Sequence, residues 1–371
     1  MKEHLKCYRV VLKTMAPVFI GSGREIGKKE YFFLNQEKVG IPDIQGLYGW
    51  MCRLGKEKAF EDYLLGKQNI DLIRWLKFQE VKINELKPFI KYTLDYSDAV
   101  LGTDRKRLQV MECIKDAYGN PYIPGSSLKG MFRTIILGAD IINMAHKYQN
   151  AGQDLIRNLN NRNLNIKNLD KDIKNIEGIK YRTLHRERTQ PLDAVNDVLQ
   201  GFLVSDSEPL TVDSLVLCQK VDIHIKGVEK RFPLLRECIK PNTEICFTIT
   251  VDMQICPYTE ENILGFIKVF MDSYYDNFLS SFTGTKRLGE KDVFLGGGCG
   301  FVSKTVVYPL YGKKEGVETV SKIFEKKRVP REHKHYLDKE YGVSPHTLKC
   351  TKYKGKIYQM GLCRVEKMEL V

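Results

Sequence analysis

The chain has 371 residues, 43% of them hydrophobic and 28% charged, and a formal net charge of +13. It is long enough to bury two cores and too hydrophobic to be disordered. Its apolar runs, such as residues 134–137 and 247–251, stop far short of the about 18 residues a membrane span needs.

Residues 1–6 lack the apolar core of a signal peptide and read as the start of a first strand. Ten cysteines stand at positions 7, 52, 113, 218, 238, 246, 256, 299, 350 and 363, without one Cys-x-x-Cys pair. Scattered thiols in apolar surroundings suit a reducing compartment, so the cytoplasm is expected and a structural zinc site is not. The charge is uneven: +6 over residues 1–146, +5 over 147–190, −5 over 191–309 and +7 over 310–371. Cations gathered in two segments are the footprint of a polyanion binder, or else lysine solvated on loops.

Residues 5–20 predict a long strand that ends at Pro17 and turns at Gly21-Ser22-Gly23. Residues 31–34 and Val39 predict a hairpin around 35–38. Asp43 is placed to cap a helix with Ile44, Leu47, Met51 and Leu54 on its apolar face. Residues 57–110 hold helical periodicity, at Ile70, Ile73 and Leu76, followed by a charged loop, with no topology assigned to them. A second hairpin over 111–123 turns at 116–120. Pro124-Gly125-Ser126-Ser127 then opens a helix through Leu128, Met131, Phe132, Ile135 and Ile136. Residues 150–175 hold eight asparagines and predict a polar insert, either a mobile loop or an exposed helix. Strands follow at 202–207, 214–225 and 243–253, then a long amphipathic helix over 259–282. The glycine-rich run 294–301 leads into β-like residues 304–310 and a basic C-terminal tail region. Such irregular alternation favours an α+β fold.

Three motifs bear on function. Residues 21–29 imitate a phosphate-binding P-loop, but Ser22 stands where its first glycine belongs and Lys29 where its Ser or Thr belongs. They form either an amide nest for phosphate or a plain turn. Ser126-Ser127-Leu128-Lys129-Gly130 is either an anion site at a positive helix end or an ordinary N-cap. Four glycines in the five positions 296–300, near Lys286, Arg287 and Lys304, form either a groove open to a sugar–phosphate strand or a structural loop. The histidines at 4, 146, 185, 224, 333, 335 and 346 show no local catalytic partner. His185, among arginines, and His333-Lys334-His335 read as solvated surface.

Together these strings resemble the RAMP superfamily of CRISPR proteins. The resemblance rests on residues 17–23, on Tyr122-Ile123-Pro124-Gly125-Ser126-Ser127-Leu128-Lys129-Gly130, and on the glycine-rich 295–301. Within that superfamily, Gly40-Ile41-Pro42-Asp43, Leu203-Val204-Ser205-Asp206-Ser207 and residues 360–365 are most similar to the fifth-subunit family of type III-A Csm complexes. The motifs span nearly the whole chain. They imply a modified ferredoxin-like (RRM-like) βαββαβ fold in two parts. One part is residues 1–210, with inserts at 57–110 and 147–200, and the other is residues 211–371, with the glycine loop and basic tail.

The resemblance further implies a non-catalytic RNA-binding subunit that caps the complex backbone near the 3′ end of the CRISPR RNA and contributes to guide maturation. Its implied partners are CRISPR RNA, complementary target RNA, the backbone RAMP subunit, the small helical subunit and a host trimming nuclease, with no cofactor or metal. RNA contacts are carried over to Gly21, Ser22, Gly23 and Arg24, and to Ser126, Ser127, Lys129 and Arg133. They also fall on Arg186 and Arg188 in a candidate hairpin thumb over 183–200, and on Lys286, Arg287, Gly296, Gly297, Gly298 and Gly300. RAMP subunits that cut target RNA carry an aspartate in the loop after the first strand. Here Arg24-Glu25-Ile26-Gly27-Lys28-Lys29-Glu30 has none, so no catalytic residue is expected. The alternatives are an endoribonuclease working through His185, or a filament cap with incidental RNA contact.

Overall fold

The computed structural model describes residues 4–27, 29–66, 70–96, 98–99, 108–161 and 166–371. Lys28, and the part of the expected charged loop at 97 and 100–107, lie outside the described residues. Besides short 3-10 turns, the chain runs through β1 (Leu5–Thr14), β2 (Gly21–Ile26), β3 (Phe32–Phe33), β4 (Lys38–Pro42), α1 (Ile44–Arg53), α2 (Glu57–Leu65) and α3 (Leu72–Phe78). Then come β5 (Ile90–Asp95), β6 (Gln109–Cys113), α4 (Gly125–Asn143), α5 (Ala145–Asn160), α6 (Ile166–Tyr181) and β7 (Phe202–Val204). They are followed by β8 (Leu215–His224), β9 (Glu229–Ile239), β10 (Glu244–Asp252), α7 (Glu260–Asn277) and β11 (Asp292–Phe294). The last elements are α8 (Val307–Lys326), α9 (Asp338–Tyr341), β12 (Thr347–Tyr353), β13 (Lys356–Gln359) and β14 (Leu362–Leu370).

The first sheet is antiparallel, in the order β11-β14-β1-β10-β7. Alternation explains β1: Tyr8, Val10, Leu12 and Thr14 face inward and are buried. Helix α4 lies in the chain between β1 and β7, and α7 between β10 and β11. Setting β11 aside, this is the ferredoxin-like βαββαβ order with its fourth strand beside its first. Leu128, Phe132 and Ile135 of α4 share one core with Ile263, Ile267 and Phe270 of α7 and with the inward face of β1.

The expected tail is therefore no tail. Strand β14 pairs with β1 from Tyr8↔Leu370 to Thr14↔Cys363, so the two ends of the chain are neighbours in one sheet. A division at residue 210 falls between β7 and β10, which are hydrogen-bonded partners.

The second sheet has nine strands: β2-β6-β9-β8-β5-β4-β3, with β12 also on β8 and β13 on β12. Residues 21–26, expected to turn, continue as β2 on β6, with a register shift between Gly21 and Glu25. The hairpin expected around 35–38 is β3–β4, and a bridge from Lys115 to Pro121 closes the turn expected at 116–120. Helices α1–α3 insert between β4 and β5 and build their own core from Leu47, Trp50, Met51, Phe60, Trp75 and Leu76. Leu54, expected on the apolar face of α1, is 42% exposed.

Residues 150–175 are helical on both sides of 162–165, which lie outside the described residues. Asn150, Asn160, Asn161 and Asn168 are exposed, while Tyr148, Gly152, Leu155 and Leu159 make a buried stripe at helical spacing. Residues 307–310, expected β-like, begin α8. The β-branched run is overridden because Val307 and Tyr308 pack inward on a first short helical piece; the helix breaks at Gly312 (φ +64°, ψ −166°), and Val317, Val320 and Ile323 bury the face of the longer piece beyond it.

A buried charge ties the second sheet together. Glu237 of β9 is fully buried, and it accepts hydrogen bonds from Tyr92 Oη at 2.6 Å, Cys113 N at 3.0 Å and Lys115 Nζ at 2.5 Å. Removing one partner of such a pair leaves the other charged and dry. Glu237→Leu should therefore cost about 3–5 kcal/mol in chemical unfolding, and adding Lys115→Met should recover much of the loss. If the single variant unfolds at the wild-type denaturant midpoint, the network does not carry the sheet.

Candidate nucleic-acid interface

Helix α4 starts where the chain crosses β7. Gly125 sits so close to that strand that a Cβ there would meet Val204 O at 2.3 Å and Ser205 O at 2.4 Å, so only glycine fits. Asp206 Oδ1 accepts the Gly125 amide at 2.8 Å, and Ser207 Oγ accepts the Ile123 amide at 2.9 Å. The Pro-Gly-Ser-Ser string and the Val204–Ser207 string, 81 residues apart at this hydrogen bond, are thus one structural unit. Asp206 takes the first amide at the positive helix end.

The glycine loop approaches from the other side. Gly297 N donates to Phe19 O at 2.6 Å and Leu295 N to Gly361 O at 2.8 Å. Gly296 has φ +87°, and a Cβ there would lie 2.4 Å from Phe19 O. Backbone of the glycine loop, the end of the residue 15–20 connector and the first turns of α4 therefore line one groove of about 400 Å3. Of the expected RNA contacts, Gly21, Ser126, Ser127, Gly296 and Gly297 meet there, together with exposed Lys304. Gly130, Met131, Thr134 and Ser303 also line it. The helical spacing 127, 130, 134 was the available signal for Thr134.

The other expected contacts lie elsewhere. Ser22 Oγ donates to Glu112 at 3.5 Å, and the Arg24 guanidinium, largely exposed, stands 3.8 Å from the same carboxylate. Gly23 lies in the same bulge, at φ +84°. Gly298 faces Arg236 and Gly300 faces Lys349. Lys286 is exposed, and Arg287 forks onto Asp272 at 2.8 Å and Asp276 at 2.5 Å.

Lys129 Nζ donates to Leu199 O at 2.7 Å, and burial holds its pKa below the usual lysine value. Arg133 pairs with Asp197 at 2.7 Å and Glu177 at 3.1 Å, with its guanidinium 4.2 Å from the centre of the Tyr181 ring. Burial works against the Arg133 charge, but these two carboxylates raise its pKa. Both cations are therefore engaged inside the molecule, where they anchor the base of the 183–200 segment.

That segment is not a strand hairpin. It is a largely exposed loop closed by the bridge between Arg182 and Asp197, with short 3-10 turns at Ala194–Asn196 and Val198–Gly201 on either side of Asp197. Buried Asn196 holds it: its Oδ1 accepts the Arg186 amide at 2.8 Å, and its Nδ2 donates to Gln190 O at 2.8 Å. Arg186 and Arg188 are exposed at its tip, as is His185, which has φ +46°. The acids of the 24–30 segment are engaged locally, Glu25 with Gln109 and Glu30 with the Gly27 amide at 2.5 Å. No described helix is long and apolar enough to cross a membrane.

Comparison with known proteins agrees with this architecture. The RAMP superfamily model matches residues 11–362. A protein of Mycobacterium tuberculosis (strain ATCC 25618 / H37Rv) named CRISPR system Cms protein Csm5 is 30% identical over 98% of each chain. A Csm5 of Streptococcus thermophilus is 30% identical over 82% of each. Among solved structures, a chain of a Csm–crRNA–target RNA ternary complex in a type III-A CRISPR-Cas system superposes with TM-score 0.64 at 19% identity. That match covers 97% of this chain and 100% of the other. The crystal structure of T. onnurineus Csm5 superposes with TM-score 0.59 at 18% identity, covering 95% and 99%. The chain is a member of the RAMP superfamily, and within it belongs with the Csm5 proteins of CRISPR systems.

Proposed function

We propose that the chain is a non-catalytic RNA-binding subunit of a type III-A Csm ribonucleoprotein, placed at the end of the backbone near the 3′ end of the CRISPR RNA and contributing to guide maturation. The observation that carries this reading is the groove. Three segments distant in sequence, around residues 20–21, 126–134 and 294–304, converge there with glycine backbone, hydroxyls and one lysine. Such a surface grips a sugar–phosphate chain without reading its bases, as a guide of variable sequence requires. The relatives' names and the ternary complex supply the partners: CRISPR RNA, complementary target RNA and other Csm subunits. All ten cysteines are unpaired, which suits a complex working in the reducing cytoplasm. A host trimming nuclease is a further partner in this reading.

Lys304 is the charged contact of the groove. Lys304→Ala should weaken binding of single-stranded RNA by roughly 1–3 kcal/mol. It should also flatten the dependence of log affinity on log salt by about 0.7, the loss of one phosphate contact on a single strand. Unchanged affinity and slope in a folded variant would put the RNA elsewhere.

The isolated protein should cut neither a CRISPR transcript nor a complementary target, with or without divalent metal. Glu25 and Glu30 are held by neighbours, and His185 stands on an exposed loop. Cleavage lost in His185→Ala would establish the processing endoribonuclease instead.

A further inference from the structure

Four of the seven histidines meet in one pocket far along the chain from the groove. His224 ends β8, His333 and His335 lie on the turns after α8, and His346 precedes β12. Ring centroids are 5.0 Å apart for His224 and His346, 5.4 Å for His335 and His346, and 5.9 Å for His333 and His335. Under them lies Asp338, the first residue of α9 and fully buried. Its Oδ2 is 3.0 Å from His335 Nδ1 and accepts Ser344 Oγ at 2.5 Å, while its Oδ1 is in direct contact with His346 Nδ1. One nitrogen of each of these two histidines and one oxygen of Asp338 lie within 4.8 Å of one another.

A second carboxylate points the same way. Asp222, 5% exposed, lines this pocket of about 420 Å3. Its Oδ2 accepts Lys349 Nζ at 2.6 Å, but its Oδ1 is buried with no partner among the described residues. A buried carboxylate oxygen without a donor calls for a cation or a bound water. Hydrogen bonding among His335, Asp338, Ser344 and His346 accounts for Asp338 alone. It leaves the gathering of four imidazoles and the open oxygen of Asp222 without a role.

We propose that His335, Asp338 and His346 bind a divalent transition-metal ion of the zinc type, whose fourth position opens to water in the Asp222 pocket. Two imidazoles and one carboxylate are a familiar zinc donor set, whereas magnesium and calcium prefer all-oxygen shells. Donors about 2.1 Å from a tetrahedral ion stand about 3.4 Å apart, so the ion would open the His335–Asp338 contact by a few tenths of an ångström and the tighter His346–Asp338 contact by about an ångström. Coordination through Nδ1 requires each neutral ring to carry its proton on Nε2. The ion would join the turns after α8, the start of α9 and the entry to β12, and so close a region stitched mainly by 3-10 turns.

The test uses untagged full-length protein stripped with a chelator. One equivalent of Zn2+ should survive gel filtration and raise the melting temperature, and millimolar Mg2+ should not displace it. Co2+ in its place should give visible absorption well above that of the aqueous ion. His335→Ala and His346→Ala should each weaken zinc binding at least tenfold, while Lys304→Ala should leave it intact. The proposal fails if the wild-type protein retains no zinc and Co2+ keeps its aqueous spectrum, which decides the matter even if both variants misfold. It fails too if a folded double variant takes up zinc normally. RNA crosslinks to residues 331–346 in protein that binds no metal would assign the pocket to RNA instead.

Discussion

Everything in this fold that faces the groove depends on how the chain leaves β1. Over residues 15–20 the backbone passes from the first sheet to the second with partners at almost every step. Met15 and Ala16 amides reach Leu362 O at 2.9 and 3.0 Å, and Pro17 O accepts Gly361 N at 3.0 Å. Val18 exchanges two bonds with Ile239, at 3.1 and 2.7 Å, Phe19 O takes Gly297 N at 2.6 Å, and Ile20 O takes Ile114 N at 2.9 Å. Proline is tolerated at 17 because the path asks its carbonyl, not its missing N–H, to bond. Glycine is needed at 296 because the loop must come within a carbonyl's reach of Phe19. The groove is the space left between this clasp and the start of α4.

The same geometry separates charge carried from charge available. The sequence places cations throughout the expected interface, yet the fold spends them unequally. Arg133 and Arg182 both meet Asp197 Oδ2, at 2.7 and 2.8 Å, in a partly buried cluster where water cannot replace a lost partner. Redirecting Arg133 towards a phosphate would take from Asp197 one of its two guanidinium partners and from Glu177 its ion-pair partner. The Arg287 fork to Asp272 and Asp276 is different: all three side chains are about half exposed, so water and salt screen the pair and a polyanion can compete for it. Cations in the exposed class, such as Lys286, Arg186 and Arg188, are the ones left free for long-range attraction to a polyanion, RNA on the proposed reading.

Much of the fold was legible where local pattern and tertiary context agree. The α4 and α7 helices carry strong 3.6-residue apolar stripes, α4 behind a proline and α7 with a Thr259 capping box, and both start where expected, although α4 runs on to Asn143 and α7 ends at Asn277. Failures came where partners are far away in sequence. Nothing local marks residues 362–370 as the neighbour of β1, because pairing of the two chain ends has no short-range signature. Residues 304–310 look like a strand until the helix they start finds a core to pack against. The groove was legible as motifs but not as membership: Gly298 and Gly300 share the glycine run, yet beyond Gly297 the loop lies against Arg236 and Lys349 instead of the groove. The histidine pocket was missed because its members follow no recognisable ligand motif: His335, Asp338 and His346 are gathered by turns around α9, and Asp222 and His224 join them only when β8 and β12 pair.

The electrostatics of α4 decide what kind of grip the groove can exert. A helix N-terminus with free amides attracts anions, but here Asp206 already occupies the first amide, and its negative charge offsets part of the dipole. What remains is modest: Ser126 and Ser127 hydroxyls, the opening turn of α4, glycine backbone and Lys304. A strongly cationic groove would hold any polyanion, and would hold it at any register. A weakly charged groove with bare backbone walls gains most of its affinity only from a strand whose sugar–phosphate contour follows those walls. The carboxylate at the helix start therefore acts as a filter, lowering indiscriminate attraction while leaving shape-dependent contact intact. On the proposed function, such a filter would suit a subunit that seats one segment of a guide RNA and ignores the rest.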